Sequence, residues 1–80
     1  MPLPPFADPG RWRKRVSSAK RYIRRRVWYD PETGYEYEPD PTPMKRTWHE
    51  IDWRRGYYRE IDPATGRPVA GGEGDWHRLQ

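Results

Sequence analysis

Several residues in the second half of the chain have the side chains needed for acid–base catalysis. An imidazole or a carboxylate can activate a ribose 2′-hydroxyl, and an arginine can stabilise the charge that develops on a phosphate during RNA cleavage. The residues that supply these groups are His49, Glu50, Asp52, Arg54, Arg55, Glu60 and Arg78. Their types permit ribonuclease chemistry, provided that the fold brings them together.

A known family shares part of this pattern. The segments "HEID", "RRG" and "EIDPATGRPVAGG" follow one another between roughly residues 48 and 78. They resemble the cytotoxic ribonuclease domain of the ribosome-inactivating colicins, a small, highly basic, twisted antiparallel sheet. In that family a histidine and acidic residues precede a glycine turn and an FDPxTG-like hairpin. The resemblance implies that His49 and Asp52 take the acid–base positions and that Arg78 is the late arginine.

Metal and cofactor chemistry has little support in the residue spacing. The chain has no cysteine, which excludes disulfides and thiolate ligands. His49 and His77 are far apart in the sequence, and neither has a partner at a typical ligand spacing. We therefore expect no metal site and no cofactor, and we consider a non-enzymatic role more consistent with the sequence than an enzymatic one.

The distribution of charge points to an anionic partner. Residues 1–26 hold nine basic residues and one acid, whereas residues 27–44 hold five acids and no base. Clustered arginines neutralise phosphates and bind them through paired hydrogen bonds. The predicted nucleic-acid contacts are Arg11, Arg13, Lys14, Arg15, Lys20, Arg21, Arg24, Arg25 and Arg26. A solvated or protein-docking face remains an alternative, and the narrow apolar stripe disfavours a membrane surface.

These basic residues are expected to lie on a helix. "MPLPPFAD" predicts an extended proline-rich arm over residues 1–8. Asp8 and Pro9 are typical of a helix start. The apolar positions Trp12, Val16 and Ile23 then recur at helical spacing, so an amphipathic basic helix is expected over about residues 9–26.

Alternation with a period of two predicts strands from residue 27 to the end. "DPETG" and "DPATG" are explained as turns, because aspartate, proline and glycine each suit a specific turn position. Residues 39–43, with three prolines, form a stiff connector. We therefore predict one α+β, mainly β domain over residues 9–80, an antiparallel meander of four or five short strands with the helix laid on it or projecting from it.

Aromatic side chains must build most of the core, because aliphatic residues are few. Five Trp and six Tyr supply the area. Two or three of them are expected to remain exposed as a stacking platform for bases. The candidates are Tyr35, Tyr37, Trp48, Trp53, Tyr57, Tyr58 and Trp76.

The leading functional prediction is a small accessory module that docks on a larger assembly through nucleic acid or nucleoprotein. The alternatives are a structural protein–protein subunit, whose arm and aromatic strands fill a groove on a partner, and the ribonuclease. No stretch of about 18 apolar residues is present. The start "MPLPPF" does not have the pattern of a signal peptide. We expect a cytoplasmic location or a soluble assembly.

Overall fold

The computed structural model describes residues 2–16 and 26–79, which form an antiparallel meander of six β-strands. Strands that follow one another in the chain are neighbours in the sheet. The strands are β1 (Arg13–Val16), β2 (Arg26–Tyr29), β3 (Glu36–Pro39), β4 (Trp48–Asp52), β5 (Tyr57–Ile61) and β6 (His77–Arg78). A 3₁₀ turn, Gly72–Gly74, precedes β6. The predicted antiparallel sheet is thus confirmed, whereas the predicted α+β class with four or five strands is wrong, because the described residues form one β-sheet of six strands.

The predicted N-terminal helix over residues 9–26 is wrong. Its first part contains β1 and its last residue begins β2, and Val16 pairs with Arg26 across this pair of strands. The described residues contain no α-helix, and therefore no helix with the length and apolarity to cross a membrane. Residues 17–25, which include four of the predicted contacts (Lys20, Arg21, Arg24 and Arg25), lie outside the described part of the chain.

The apolar spacing that predicted a helix has a different cause. Trp12 is buried because its ring stacks on Tyr37, with 4.3 Å between the ring centroids. Val27 is 1% exposed in β2, between β1 and β3, whereas Val16 at the sheet edge is 43% exposed. Pairing along the sheet satisfies the backbone hydrogen-bonding groups, and it buries Val27 within the sheet while Trp12 packs on the aromatic core. This tertiary contribution outweighs the local helical preference.

Both pentapeptides form turns, as predicted. Gly34 and Gly66 have φ angles of 79° and 76°, and each donates its N–H to the carbonyl of the aspartate four residues earlier at 2.7 Å. The side chains of Asp30 and Asp62 each accept a hydrogen bond from the N–H two residues later. The first turn joins β2 to β3, and the second returns the chain to β5 through an isolated bridge between Ile61 and Pro68.

The proline-rich arm packs on its own domain. Phe6 contacts Trp12 edge-to-face at 5.2 Å and Tyr37 at 5.6 Å, and its N–H donates to the Pro63 carbonyl. Leu3 packs against the same cluster. The arm was expected to lie along a partner, but these contacts place it over the sheet. The buried cluster is mainly aromatic, as expected, and consists of Trp12, Tyr37, Trp48 and Ile61.

The sheet has two faces, because successive side chains of a strand point in opposite directions. We call the face that carries Tyr37 and Ile61 the front face, and the face that carries Glu36 and Glu60 the back face. One row of cross-strand neighbours on the front face is Lys14, Trp28, Tyr37, Glu50 and Arg59. The corresponding row on the back face is Arg13, Tyr29, Glu36, Ile51, Tyr58 and His77. The arm covers part of the front face, and the strand residues of that face that remain exposed are Lys14, Val16, Arg26, Pro39 and Arg78.

Candidate functional site

A cavity of about 240 Å³ opens on the front face beyond the arm. Its walls come from the ends of four elements, which meet at one end of the sheet. Asp52 ends β4, and Tyr57, its cross-strand partner, begins β5. The lining residues are Tyr35, Asp52, Arg55, Tyr57 and Trp76, and we call this the Trp76 cavity.

The Trp76 side chain is held from two sides yet remains 38% exposed. The guanidinium of Arg59 lies over the indole, 4.2 Å from the ring centroid. Tyr35 meets the same ring edge-to-face at 5.8 Å. Such a cation–π contact fixes the plane of the indole, since the positive charge is attracted to the face of the ring. The cavity therefore has a positioned aromatic wall.

A buried hydrogen-bond network fixes Arg59 in turn. Its Nε donates to Oε1 of Glu50 at 2.7 Å, and the hydroxyl of Tyr37 donates to Oε2 of Glu50 at 2.6 Å. Burial and then the hydrogen bond to Glu50 raise the pKa of Tyr37 well above its usual range, so the phenol stays protonated. The aromatic core is thus connected to Trp76 through Glu50 and Arg59.

Asp52 is the acceptor of the cavity. It is 7% exposed, and its carboxylate receives the backbone N–H of Arg55 at 3.2 Å. The Arg55 side chain is 78% exposed, and its Nε lies 3.8 Å from the same carboxylate. The cavity therefore combines aromatic walls, a buried anionic acceptor and a cation at its rim. This combination has the chemistry needed to accommodate a flat ring that carries N–H donors.

The predicted phosphate-binding residues that the structure describes do not form one surface. Arg11 makes a bidentate pair with Asp30 at 2.9 and 3.0 Å and also contacts Glu32 at 3.1 Å. The hydrogen bond to Asp30 raises the pKa of Arg11. Arg15 pairs with Glu36, whose side chain is 1% exposed, at 3.0 Å. These two guanidinium groups therefore form ion pairs with carboxylates of the acidic segment, residues 27–44, of the same chain.

The other three described residues of this group have different surroundings. Arg13 donates to backbone carbonyls, among them that of Arg11 at 3.0 Å. Lys14 lies over the indole of Trp28, with 5.0 Å from its Nζ to the ring centroid. Arg26 is exposed. Lys14 and Arg26 both lie on the front face and are exposed there.

The three residues assigned by the colicin resemblance are not brought together. His49 lies on the back face, whereas Asp52 and Arg78 lie on the front face. Asp52 and Arg78 are both cross-strand partners of Tyr57, which places them two strand spacings apart, about 10 Å. The ribonuclease interpretation stays a prediction, and the separation of these three residues does not support it.

His49 belongs instead to a polar cluster on the back face. Its Nε2 lies 2.9 Å from Oδ2 of Asp40 and 3.4 Å from Oε1 of Glu60. Lys45 contacts the same Glu60 oxygen at 2.7 Å and Oε2 of Glu73 at 3.3 Å. We call Asp40, His49 and Glu60 the back-face triad. Each of them offers one ligand atom, and these three atoms lie within 4.8 Å of one another, an arrangement able to hold a metal ion.

The ionisation of this cluster is strongly perturbed. Burial, and next the adjacent Asp40 side chain, raise the pKa of Glu60. Burial alone would also raise the pKa of Asp40, but its contacts with Glu60 and with the N–H and hydroxyl of Thr42 lower it overall. The hydrogen bond to Glu60 raises the pKa of Lys45, so its ammonium form is favoured.

Sequence spacing predicted neither site, because each is assembled from residues that are far apart in the chain. A search for ligands along the chain found no partner for His49, but Glu60 is its cross-strand neighbour in the β4–β5 hairpin. A correct prediction of the β4–β5 register would have indicated this pair. Tyr35, Tyr57 and Trp76 were among the aromatic candidates, whereas nothing in the sequence separated them from the aromatic residues of the core.

Comparison with protein families, with curated proteins and with solved structures gives no match.

Proposed function

We propose that this domain binds single-stranded nucleic acid through its front face and holds one unpaired base in the Trp76 cavity. The observation that carries the proposal is the partly exposed indole of Trp76, positioned by Arg59 and flanked by Tyr35 and Tyr57. Bases stack on aromatic side chains of this kind, and the contact tolerates different bases because each has a π face.

The size of the cavity supports a base-sized ligand. Sites for drug-sized molecules usually measure about 300–1,000 Å³. The Trp76 cavity, at about 240 Å³, is smaller and suits one ring system. Asp52 supplies an acceptor for exocyclic or ring N–H groups, and each of the bases carries at least one such group on its pairing edge. A duplex would hide these edges, so an unpaired strand fits better.

Charge on the front face supports the same proposal. The strand residues Lys14, Arg26 and Arg78 are exposed there, whereas Glu50 and Asp52 of that face are buried. Nucleic-acid phosphates that lie along the front face would therefore contact exposed cations. The described strands present no exposed carboxylate on this face. Such contacts release counterions, which makes binding weaken steeply with salt.

The structural-subunit alternative has less support. It required an arm free to fill a groove on a partner, and Phe6 of that arm instead contacts Trp12 and Tyr37 of its own core. The module as a whole can still dock on a nucleoprotein, with the nucleic acid as its point of attachment.

Binding of fluorescently labelled single-stranded RNA, single-stranded DNA and duplex DNA, measured by anisotropy across a salt series, tests the proposal. Single strands are expected to bind more tightly than duplex, with log affinity falling linearly as log salt rises. Trp76→Ala should weaken single-strand binding by about 1–3 kcal/mol, or about 5–150-fold, the range of one base–aromatic stack. Urea unfolding of the variant controls for loss of fold.

A matched pair of arginine variants locates the bound base. Arg55 lines the cavity and Arg54, next to it, is exposed but does not line it. Both alanine variants lose the same charge, so Arg55→Ala should weaken binding more than Arg54→Ala. An unchanged affinity of Trp76→Ala, or equal losses for the two arginine variants, would refute the assignment of the cavity.

A further inference from the structure

We propose that the back-face triad, Asp40, His49 and Glu60, binds a divalent transition-metal ion such as Zn²⁺ or Mn²⁺. The triad is on the face opposite the Trp76 cavity, so this inference is independent of nucleic-acid binding. Its three members come from different elements: Asp40 follows β3, and His49 and Glu60 are cross-strand neighbours in β4 and β5.

The two separations that involve His49 match a metal coordination sphere, and all three ligand atoms of the triad lie within 4.8 Å of one another. Zinc binds imidazole nitrogen and carboxylate oxygen at about 2.0–2.2 Å, so neighbouring ligand atoms of a tetrahedral or octahedral ion lie about 3.0–3.5 Å apart. The distances from Nε2 of His49 are 2.9 Å to Asp40 and 3.4 Å to Glu60. An ion therefore needs only small side-chain movements to contact all three ligands.

A buried, unpartnered oxygen is the second observation. Glu60 is 5% exposed, and its Oε2 is buried without a hydrogen-bond partner among the described residues. Oε1 of the same carboxylate contacts both His49 and Lys45, which places Oε2 at the same cluster. Buried polar atoms in folded proteins nearly always have a partner, so this carboxylate oxygen is available as a ligand for a cation.

Lys45 is the internal cation that a metal ion would have to displace. Its ammonium neutralises one charge, while Asp40, Glu60 and Glu73 carry three carboxylates around it. Lys45 lies between β3 and β4 and is one-third exposed, and Glu73 is 63% exposed. The ammonium can therefore move towards Glu73 without losing its ion pair, which vacates the side of Glu60 that faces His49.

The ligand types select the class of ion. One imidazole with two carboxylates suits Zn²⁺, Mn²⁺ and related transition metals, whereas Ca²⁺ and Mg²⁺ prefer oxygen ligands alone. Three protein ligands leave coordination positions for water. In a chain without disulfides, such an ion would hold the segment after β3 against the β4–β5 hairpin and act as a staple for a small domain.

Isothermal titration with ZnCl₂, MnCl₂ and MgCl₂, together with thermal unfolding, tests the site on the full chain. Zn²⁺ or Mn²⁺ should bind with one ion per chain and raise the melting temperature, because a ligand that binds only the folded state stabilises it. MgCl₂ should do neither. Binding should weaken as the pH falls, since the ligands must lose their protons to bind metal.

Three variants make the result specific. His49→Ala should abolish binding, and the control His77→Ala, which changes a back-face histidine outside the triad, should retain it. Lys45→Met should tighten binding by about fivefold or more, because a unit positive charge within about 4 Å of the ion is removed. This gain remains measurable even when His49→Ala fails to fold.

Several outcomes would overturn the proposal. Absence of binding in both wild type and Lys45→Met would show that no site exists. Equal loss in His49→Ala and His77→Ala would indicate adventitious binding. Equal affinities of wild type and Lys45→Met would show that the ion binds away from the triad.

Discussion

Lys14 and Arg15 are neighbours in β1, yet the strand turns their side chains to opposite faces, so truncating each to alanine is expected to have different effects. Arg15 pairs with Glu36 at 3.0 Å and lies over the Tyr29 ring at 4.2 Å. Glu36 is completely buried and also accepts the indole N–H of Trp53 at 2.7 Å. Arg15→Ala therefore removes the guanidinium from a buried carboxylate, whereas Lys14→Ala changes an exposed front-face cation.

The magnitude follows from the burial of the pair. Removing one partner of a buried ion pair costs about 3–5 kcal/mol, and Glu36 keeps its hydrogen bond from the indole N–H of Trp53 after the substitution. The side chain of Arg15 is 40% exposed, so water can replace part of what is lost. We therefore expect a loss of about 2–3 kcal/mol for Arg15→Ala, after discounting for solvent screening. Lys14→Ala should change the free energy of unfolding by less than about 1 kcal/mol, even with the loss of its contact to Trp28.

Urea unfolding measures this difference directly. A domain of this size is expected to have a free energy of unfolding of about 4–12 kcal/mol, so Arg15→Ala removes a large part of it. With an m value of about 1–1.5 kcal/mol/M, the urea midpoint should fall by about 2 M. A double-mutant cycle with Glu36→Gln then separates the pair from other losses, with an expected coupling of about 1–3 kcal/mol.

The binding assay completes the test. Lys14→Ala should weaken single-strand binding and reduce the slope of log affinity against log salt by about 0.7, as expected for one lost phosphate contact. Arg15→Ala, studied where it is folded, should leave this slope unchanged. If Arg15→Ala were as stable as wild type but lost the salt-dependent binding, Arg15 would be a contact residue, and the division of the basic residues between the two faces would be wrong.

The remaining predictions concern the arm and the buried phenol. Gly66→Ala should destabilise the domain by about 2–4 kcal/mol, since a left-handed alanine costs about 1–2 kcal/mol and overpacking adds a similar amount; its Cβ would lie 2.5 Å from the Phe6 ring. Gly34→Ala has the same backbone strain and no atom within 4 Å of the new Cβ, so it should lose only about 1–2 kcal/mol, and equal losses in urea unfolding would contradict the docked arm. Because the pKa of the Tyr37 phenol is raised, its contribution to the free energy of unfolding should be complete below about pH 10. Above that pH the contribution should decline by about 1.4 kcal/mol per pH unit. Unfolding of Tyr37→Phe, measured across alkaline pH, should lack this decline.

Local patterns predicted the turns and most of the strands. Asp30 and Gly34 set one turn through their own hydrogen bonds and dihedral angle, which need no distant partner. The structure of the first third was mispredicted because its local helical preference is weak. Pairing within the sheet, such as that of Val16 with Arg26, decides its conformation instead. The candidate sites were predicted only in their residue types. Trp76 was one of several aromatic candidates, and only the contact with Arg59 distinguishes it from the core.

The sequence by itself determined the composition of this protein's interior and its turns. With few aliphatic residues and no cysteine, aromatic rings had to form the core, and the two Asp-Pro-X-Thr-Gly segments had to reverse the chain. Only the tertiary structure decided which charges are available to a partner. Arg15 and Lys14 have the same charge and adjacent positions, but strand alternation pairs one with buried Glu36 and leaves the other exposed on the front face. The same register brings Glu60 to His49, because cross-strand distance depends on hairpin pairing and not on separation along the chain.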